Sequence, residues 1–171
     1  MWGLFLMISE HDSLKRGVLE AAYLMVVAAK TAPKARGIDN IVAVVLSERE
    51  ELEKLASKME ELAEKYGEFF KRDAGNVRGS DAVVLIGCKI VDFGLKTPEK
   101  WKIDSGTANS LVNLGIALGS AVKIASIHNV DNRIMFSVGV AAQELGLVNA
   151  DIVYGIPLSA KAKNIYFDRG K

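Results

Sequence analysis

A single cysteine, Cys88, occurs in 171 residues. The chain alone can therefore form no disulfide and supply no multi-cysteine metal or cluster site. Scarce cysteine fits a reducing compartment, and a cytoplasmic protein is expected. Charge of one sign is also lacking. The 22 Lys and Arg face 21 Asp and Glu, which gives no electrostatic case for nucleic acid or an anionic membrane. No GxGxxG follows a strand pattern and no Walker A sequence occurs, so nucleotide-loop signals are missing. The two histidines, His11 and His128, have no carboxylate or nucleophile at a telling spacing, and no catalytic triad is readable. The opening MWGLFLMI is apolar but has only eight residues, short of the roughly 20 that span a bilayer. It has no basic region before it and no cleavage-site pattern after it. Residues 1–8 are expected to form an edge strand or arm packed on the domain or on a second subunit, with Met7 an alternative start.

What remains is the composition of one globular domain, 1–171, half hydrophobic and a quarter charged. Ser9 or Asp12 opens a helix predicted to run to about Lys30, apolar around most of its circumference from Leu19 to Ala29 and so expected to be deeply buried. Pro33 stops it. The run IVAVVL at 41–46 predicts a strand covered on both faces. Ser47 with Glu50 reads as a capping box opening a surface helix with an apolar stripe at Leu52, Leu55, Met59, Leu62 and Tyr66. Gly67 ends it. A short strand is predicted near Phe69–Lys71, a turn around Asp73–Asn76, and a buried strand at Ala82–Cys88. Residues 89–106, KIVDFGLKTPEKWKIDSG, have no clear period and read as a long excursion. A long helix from Thr107, a break at Asn129–Asn132, a helix to Leu145 and a strand at Asp151–Ile156 complete the pattern. The fold class is α+β: a layered α/β/α sandwich with one mixed sheet flanked by helices.

Three places could carry chemistry. Gly115 and Gly119 lie four apart on one helix face, where each glycine costs roughly 1 kcal/mol against alanine. Either a close helix crossing or a flat ligand against the backbone would justify them. Ser120 follows directly. The tail carries Ser159, Lys161, Lys163, Asn164 and Arg169 beyond a strand end, a set that is either a phosphate site or a solvated basic terminus. The connection KTAPKARGIDN, 30–40, holds Lys34 and Arg36, which could join the tail on one anion. Cys88 reads as a small core residue, and Trp101 as an exposed aromatic in the excursion.

The phrases TAPKARG, NVRGSDAVVLIG, LGIALGSAVKIASIHNVDNRIMFSVGVAAQELGL and GIPLSAKAKNIYFDR resemble one prokaryotic family of unknown function labelled as containing a ferredoxin domain. The likeness spans roughly residues 9 to 169. Members of that family typically carry a CGxCG-type insert after the VVLIG strand and a further cysteine near the position of Thr107, implying an iron–sulfur cluster. Residues 89–113 here contain no cysteine, and about four thiolates are needed, so no cluster is expected in a single chain. In layout the chain more distantly resembles flavin-dependent nitroreductases, which are intertwined homodimers with flavin at the subunit interface. That resemblance implies FMN as cofactor, an oxidoreductase or electron carrier and a homodimer. Separately, the length of the excursion at 89–106 and Trp101 within it would suit docking of a redox partner. The resemblance assigns Lys34, Arg36, Ser159, Lys161, Lys163 and Arg169 to cofactor binding, with the lysines and arginines on the phosphate and Gly119 and Ser120 beside the ring. The arginine-rich opening segment of those enzymes is absent, with only Lys15 and Arg16 in that region. The alternative is a cofactor-free, non-enzymatic dimer that has lost the cluster.

Overall fold

A computed structural model describes residues 7–167. Most of the arm Met1–Ile8, and Arg169, lie outside the described residues. Helix α1 (Glu10–Thr31) opens at Ser9, whose Oγ accepts the Asp12 N–H at 3.0 Å. After a short 3-10 turn at Ala35–Gly37 come β1 (Ile41–Leu46), α2 (Arg49–Tyr66), α3 (Phe69–Arg78) and β2 (Ala82–Cys88). The excursion follows, then α4 (Ser105–Ile127), β3 (Asp131–Asn132), α5 (Phe136–Glu144) and β4 (Ile152–Ser159).

The four strands stand in the order β1-β2-β4-β3, and every pair among the described residues is antiparallel. The sheet is thus antiparallel rather than mixed, and α3 is the reason. The expected strand at Phe69–Lys71 is the first turn of this helix, and Phe70, Asp73, Ala74 and Val77 form its buried face. Gly67, at φ 116°, breaks α2 and lets the chain reverse. The α2–α3 hairpin returns the chain to the end of the sheet it left, so β2 must run against β1. Arg78 ties the hairpin shut with ion pairs to Glu53 at 2.9 Å and Glu60 at 2.5 Å. At the start of α2 it is Glu51, not Glu50, that closes the cap, accepting the Ser47 and Glu48 N–H groups at 3.2 Å each.

The layers follow from strand alternation. Val84, Ile86 and Cys88 of β2 face α1 and α4, joined by Ile156 and Leu158 of β4. Val83 and Leu85 face α2, α3 and α5. Helix α5 presses so closely on β4 that a Cβ at Gly139 would fall 1.9 Å from the Val153 carbonyl oxygen. By length and composition α4 could cross a bilayer, but Leu114, Ala117, Leu118, Ala121 and Ala125 pack into the core.

One expectation is met on one side only. Val18, Ala22, Met25 and Ala29 of α1 are buried, but Tyr23, Leu24 and Val27 point outward. The outer side of α4 is likewise apolar: Val112 is 56% exposed and Ile127 59%, with Leu111 and Ile116 beside them.

Candidate functional site

The 30–40 connection is built from the end of α1 inward. Lys34 folds back on the helix it follows, its Nζ donating to the carbonyls of Lys30 at 2.6 Å and Ala32 at 2.8 Å. This ammonium satisfies carbonyls that the last helical turn leaves open, where a cation also complements the dipole. Lys30 reaches the Asp39 carboxylate at 2.5 Å and the Ile41 carbonyl at 2.6 Å. The Lys30 ammonium, chiefly through that hydrogen bond, holds Asp39 below the usual carboxylate range. Arg36 sits in the left-handed region at φ 52°, and its Nη1 donates to the Phe93 carbonyl at 2.7 Å. The local backbone conformation and the excursion are therefore coupled through one guanidinium.

Two buried asparagines hold this end together. Asn113 Oδ1 on α4 accepts the Ala35 N–H at 2.8 Å, and its Nδ2 donates to Asn40 Oδ1 at 2.9 Å. Asn40 Nδ2 in turn donates to the Lys89 carbonyl at 2.7 Å. A relay of side-chain amides thus fixes the loop to α4 and to the ends of β1 and β2. The signal was not readable in sequence, because the contacts join positions 78, 73 and 49 residues apart.

Ser120 shares a groove of about 400 Å³ with Ala28, Thr31, Ala32, Pro33 and Lys123. Lys123 makes no hydrogen bond or ion pair among the described residues. Gly115 and Gly119 lie on the exposed side of α4, and a Cβ at either would meet nothing within 4 Å. No helix among the described residues crosses them.

The tail lies elsewhere. Ser159 ends β4 beside Asp131, and Lys161 Nζ donates to the Gly79 carbonyl at 2.6 Å. Asn164 Nδ2 donates to Asp131 Oδ1 at 2.8 Å, and Lys163 is exposed between them. Tyr166 anchors the segment. Its phenol meets Ser80 Oγ at 2.9 Å, and Arg133 Nη1 donates to its carbonyl at 2.9 Å. Burial pushes the phenol up to about 12. Ser159 lies close enough to that phenol to oppose the rise, yet its own Oγ is buried without a hydrogen-bond partner.

The two cationic segments do not converge within one chain. Lys30 touches Ile41, which pairs with Cys88, whereas the tail sits by Ala82 at the opposite end of β2. Seven residues of strand at about 3.3 Å each separate these ends by roughly 20 Å. What adjoins the tail instead is a cavity of about 150 Å³ lined by His11, Lys15, Ser47, Arg49, Ser80 and Asp81. Lys15 has no bonded partner among the described residues.

The donors decide which groups fit. The tail end offers a phosphate an unengaged lysine, hydroxyls and a buried serine oxygen with nothing to bond, against two carboxylates, Asp81 and the Asn164-bonded Asp131. An iron–sulfur cluster does not fit. Cys88 is fully buried and its thiol is pushed up by burial and by Asp151, and it stands alone.

The profile of the family described as "Uncharacterized protein containing a ferredoxin domain (DUF2148)" matches residues 105–169. An uncharacterized protein of Archaeoglobus fulgidus is 41% identical over 181 aligned positions, covering 96% of this chain and 98% of its own. Among solved structures, a nitroreductase family protein from Clostridium novyi superposes with a TM-score of 0.60 at 14% identity, covering 85% of this chain and 77% of that one. The NADPH:FMN oxidoreductase from Vibrio harveyi, complexed with NAD+, gives a TM-score of 0.55 at 14% identity. The match covers 85% of this chain, which spans only 60% of the length of that enzyme. At such identities the likeness establishes a nitroreductase-like fold and nothing more.

Proposed function

The chain belongs to the family of uncharacterized proteins containing a ferredoxin domain, and from that membership and its nitroreductase-like fold we propose an FMN-binding homodimer, an oxidoreductase or electron carrier. One observation carries the reading. The loop at 30–37 and the tail at 159–167 lie at opposite ends of the sheet, and the α1 and α4 layer on one side of that sheet has an apolar outer face that no described residue covers. A second copy packed on α1 and α4 about a two-fold axis crossing the helices brings the loop of one protomer to the tail of the other. Each site is then composite.

In this arrangement Lys15, Lys161 and Lys163 of one protomer neutralise the cofactor phosphate, with Ser159 offering its unengaged oxygen and Arg169 adding charge from the chain end. The groove at Pro33 and Ser120 of the other protomer flanks the ring, and Gly119 lets the ring or the facing helix approach. Lys34 and Arg36 act by holding the loop in shape and by their charge. Bound FMN would supply hydride or single-electron transfer. No acid–base set among the chain's own residues is assigned.

Purified protein should carry a flavin absorbance or gain thermal stability on adding FMN, by mass action. A colourless protein whose melting temperature ignores FMN would sink the proposal.

A second reading is a cofactor-free, non-enzymatic dimer. The observation favouring it is that Lys34, Arg36 and Lys161 each already donate to backbone carbonyls. Dimerisation without FMN binding is its signature.

A further inference from the structure

We propose that the apolar run MWGLFLMI, 1–8, docks along the open edge of β1 as a further strand, parallel to it and within the same protomer. This is independent of whether FMN is bound. The two edges of the sheet are finished differently. At one edge β3 is two residues long and polar, Asp131–Asn132, a form that discourages further pairing. At the other edge β1 is IVAVVL, six residues with no charge and no proline. An apolar edge of that length is ordinarily covered.

The ladder identifies the groups left open. The Lys89 N–H donates to the Asn40 carbonyl at 2.9 Å. Antiparallel alternation then turns the backbone of Val42, Val44 and Leu46 toward β2 and that of Ile41, Ala43 and Val45 outward. Ile41 is already occupied: its N–H donates to Asp39 Oδ1 at 3.2 Å, and its carbonyl accepts Lys30 Nζ at 2.6 Å. The N–H and carbonyl groups of Ala43 and Val45 have no partner among the described residues. The side chains repeat the pattern. Every residue of β2 is buried, whereas residues 42–45 are each half-buried. Ala43 and Val45 lie on the α1 side and Val42 and Val44 on the α2 side, so a strand laid there meets apolar surface on both faces.

Position, length and chemistry select the occupant. Helix α1 begins where β1 ends, since His11 and Lys15 line one cavity with Ser47 and Arg49. Where the described chain starts, Met7 is 89% exposed and Ile8 56%. Residues 1–8 extend about 26 Å, against roughly 20 Å for β1. A chain that enters α1 beside the Leu46 end and lies along this edge runs parallel to β1. Trp2, Leu4, Leu6 and Ile8 alternate with Phe5 and Met7, so both faces of such a strand are apolar, as two flanking helical layers require. A second copy is disfavoured. In a β1-to-β1 contact each Ile41 is already bonded to Lys30 and Asp39, and a tethered segment acts at an effective concentration of about millimolar.

The test is amide hydrogen exchange, read by NMR on the full chain and on its Leu4→Pro and Phe5→Pro variants. In the parent the Ala43 and Val45 amides should exchange about a hundredfold or more slower than unbonded amides, equally at low and high protein concentration. Alternate residues of an added strand donate to the edge, so at least one of the two adjacent prolines should abolish that protection. The Val84 and Leu85 amides within β2 should stay protected throughout, which reports an intact fold. Free exchange of Ala43 and Val45 in the parent overturns the proposal, as does protection that survives both prolines. Protection that falls on dilution assigns the edge to a second copy and overturns it too.

Discussion

The two helical layers of this molecule are finished differently. The layer of α2 and α3 keeps Leu52, Leu55, Met59 and Phe70 inside and turns Glu and Lys outward, with Arg78 bonded to Glu53 and Glu60. Its exposed large apolar groups are Tyr66 and Phe69, at the corner between the two helices. The layer of α1 and α4 also fills its core, with Met25, Leu114 and Ala121, but its outside repeats the apolar pattern at Tyr23, Val27, Val112, Ile116 and Ile127. A helix that is apolar all round is normally enclosed. The contrast teaches that amphipathic helices complete a single chain, whereas this pair leaves an apolar outer face, the one the proposed second copy would cover.

The comparison can be broken or sharpened by substitution. Leu55→Ala in the closed layer should cost about 2–5 kcal/mol, measured by chemical denaturation and independent of protein concentration. Ile116→Asp in the open layer should leave the isolated chain nearly unchanged, since exposed substitutions stay within about 0.5 kcal/mol. It should weaken association about a hundredfold or more, as for a buried interface residue. Sedimentation equilibrium separates the two effects. An Ile116→Asp protein with unaltered association would show that the open layer is not covered by a copy of itself.

Tyr166 gives a pH test of the tail anchor. Its folded pKa of about 12 exceeds the ordinary 10.0, so its stabilising contribution is complete below pH 10 and is lost as pH rises toward 12. Denaturation midpoints should fall across that window by the equivalent of about 2–3 kcal/mol, and Tyr166→Phe should flatten this dependence. The smallest effect is the most diagnostic. Gly119→Ala should raise the helical stability of a free chain by up to about 1 kcal/mol, because nothing lies within 4 Å of the new Cβ. If a facing helix approaches there, the same substitution weakens the dimer instead.

Much of the layering was legible in the sequence. Continuous apolar runs marked β1 and β2, and helix stops at Pro33, Gly67 and Gly146 were placed correctly. Helix α3 was not, because FFKRDAGNVR begins with two aromatics and carries Gly75 and Asn76 inside the helix, where local preference argues for a turn. Its buried Phe70, Asp73, Ala74 and Val77 override that preference by packing. Without this helix the reversal that makes β1 and β2 antiparallel was not readable, and the sheet was expected to be mixed. For the site, Lys34 and Arg36 were visible as charges, but their carbonyl partners were not, since tertiary placement decides what a cation meets. An apolar circumference, likewise, cannot tell a core from an interface.

The composite site is tested most directly by titrating FMN into the parent and the Ile116→Asp protein. The expected result is a parent dimer that binds one FMN per chain and a folded monomeric variant that binds none. A monomeric variant that binds FMN as tightly as the parent would contradict a site shared between two protomers.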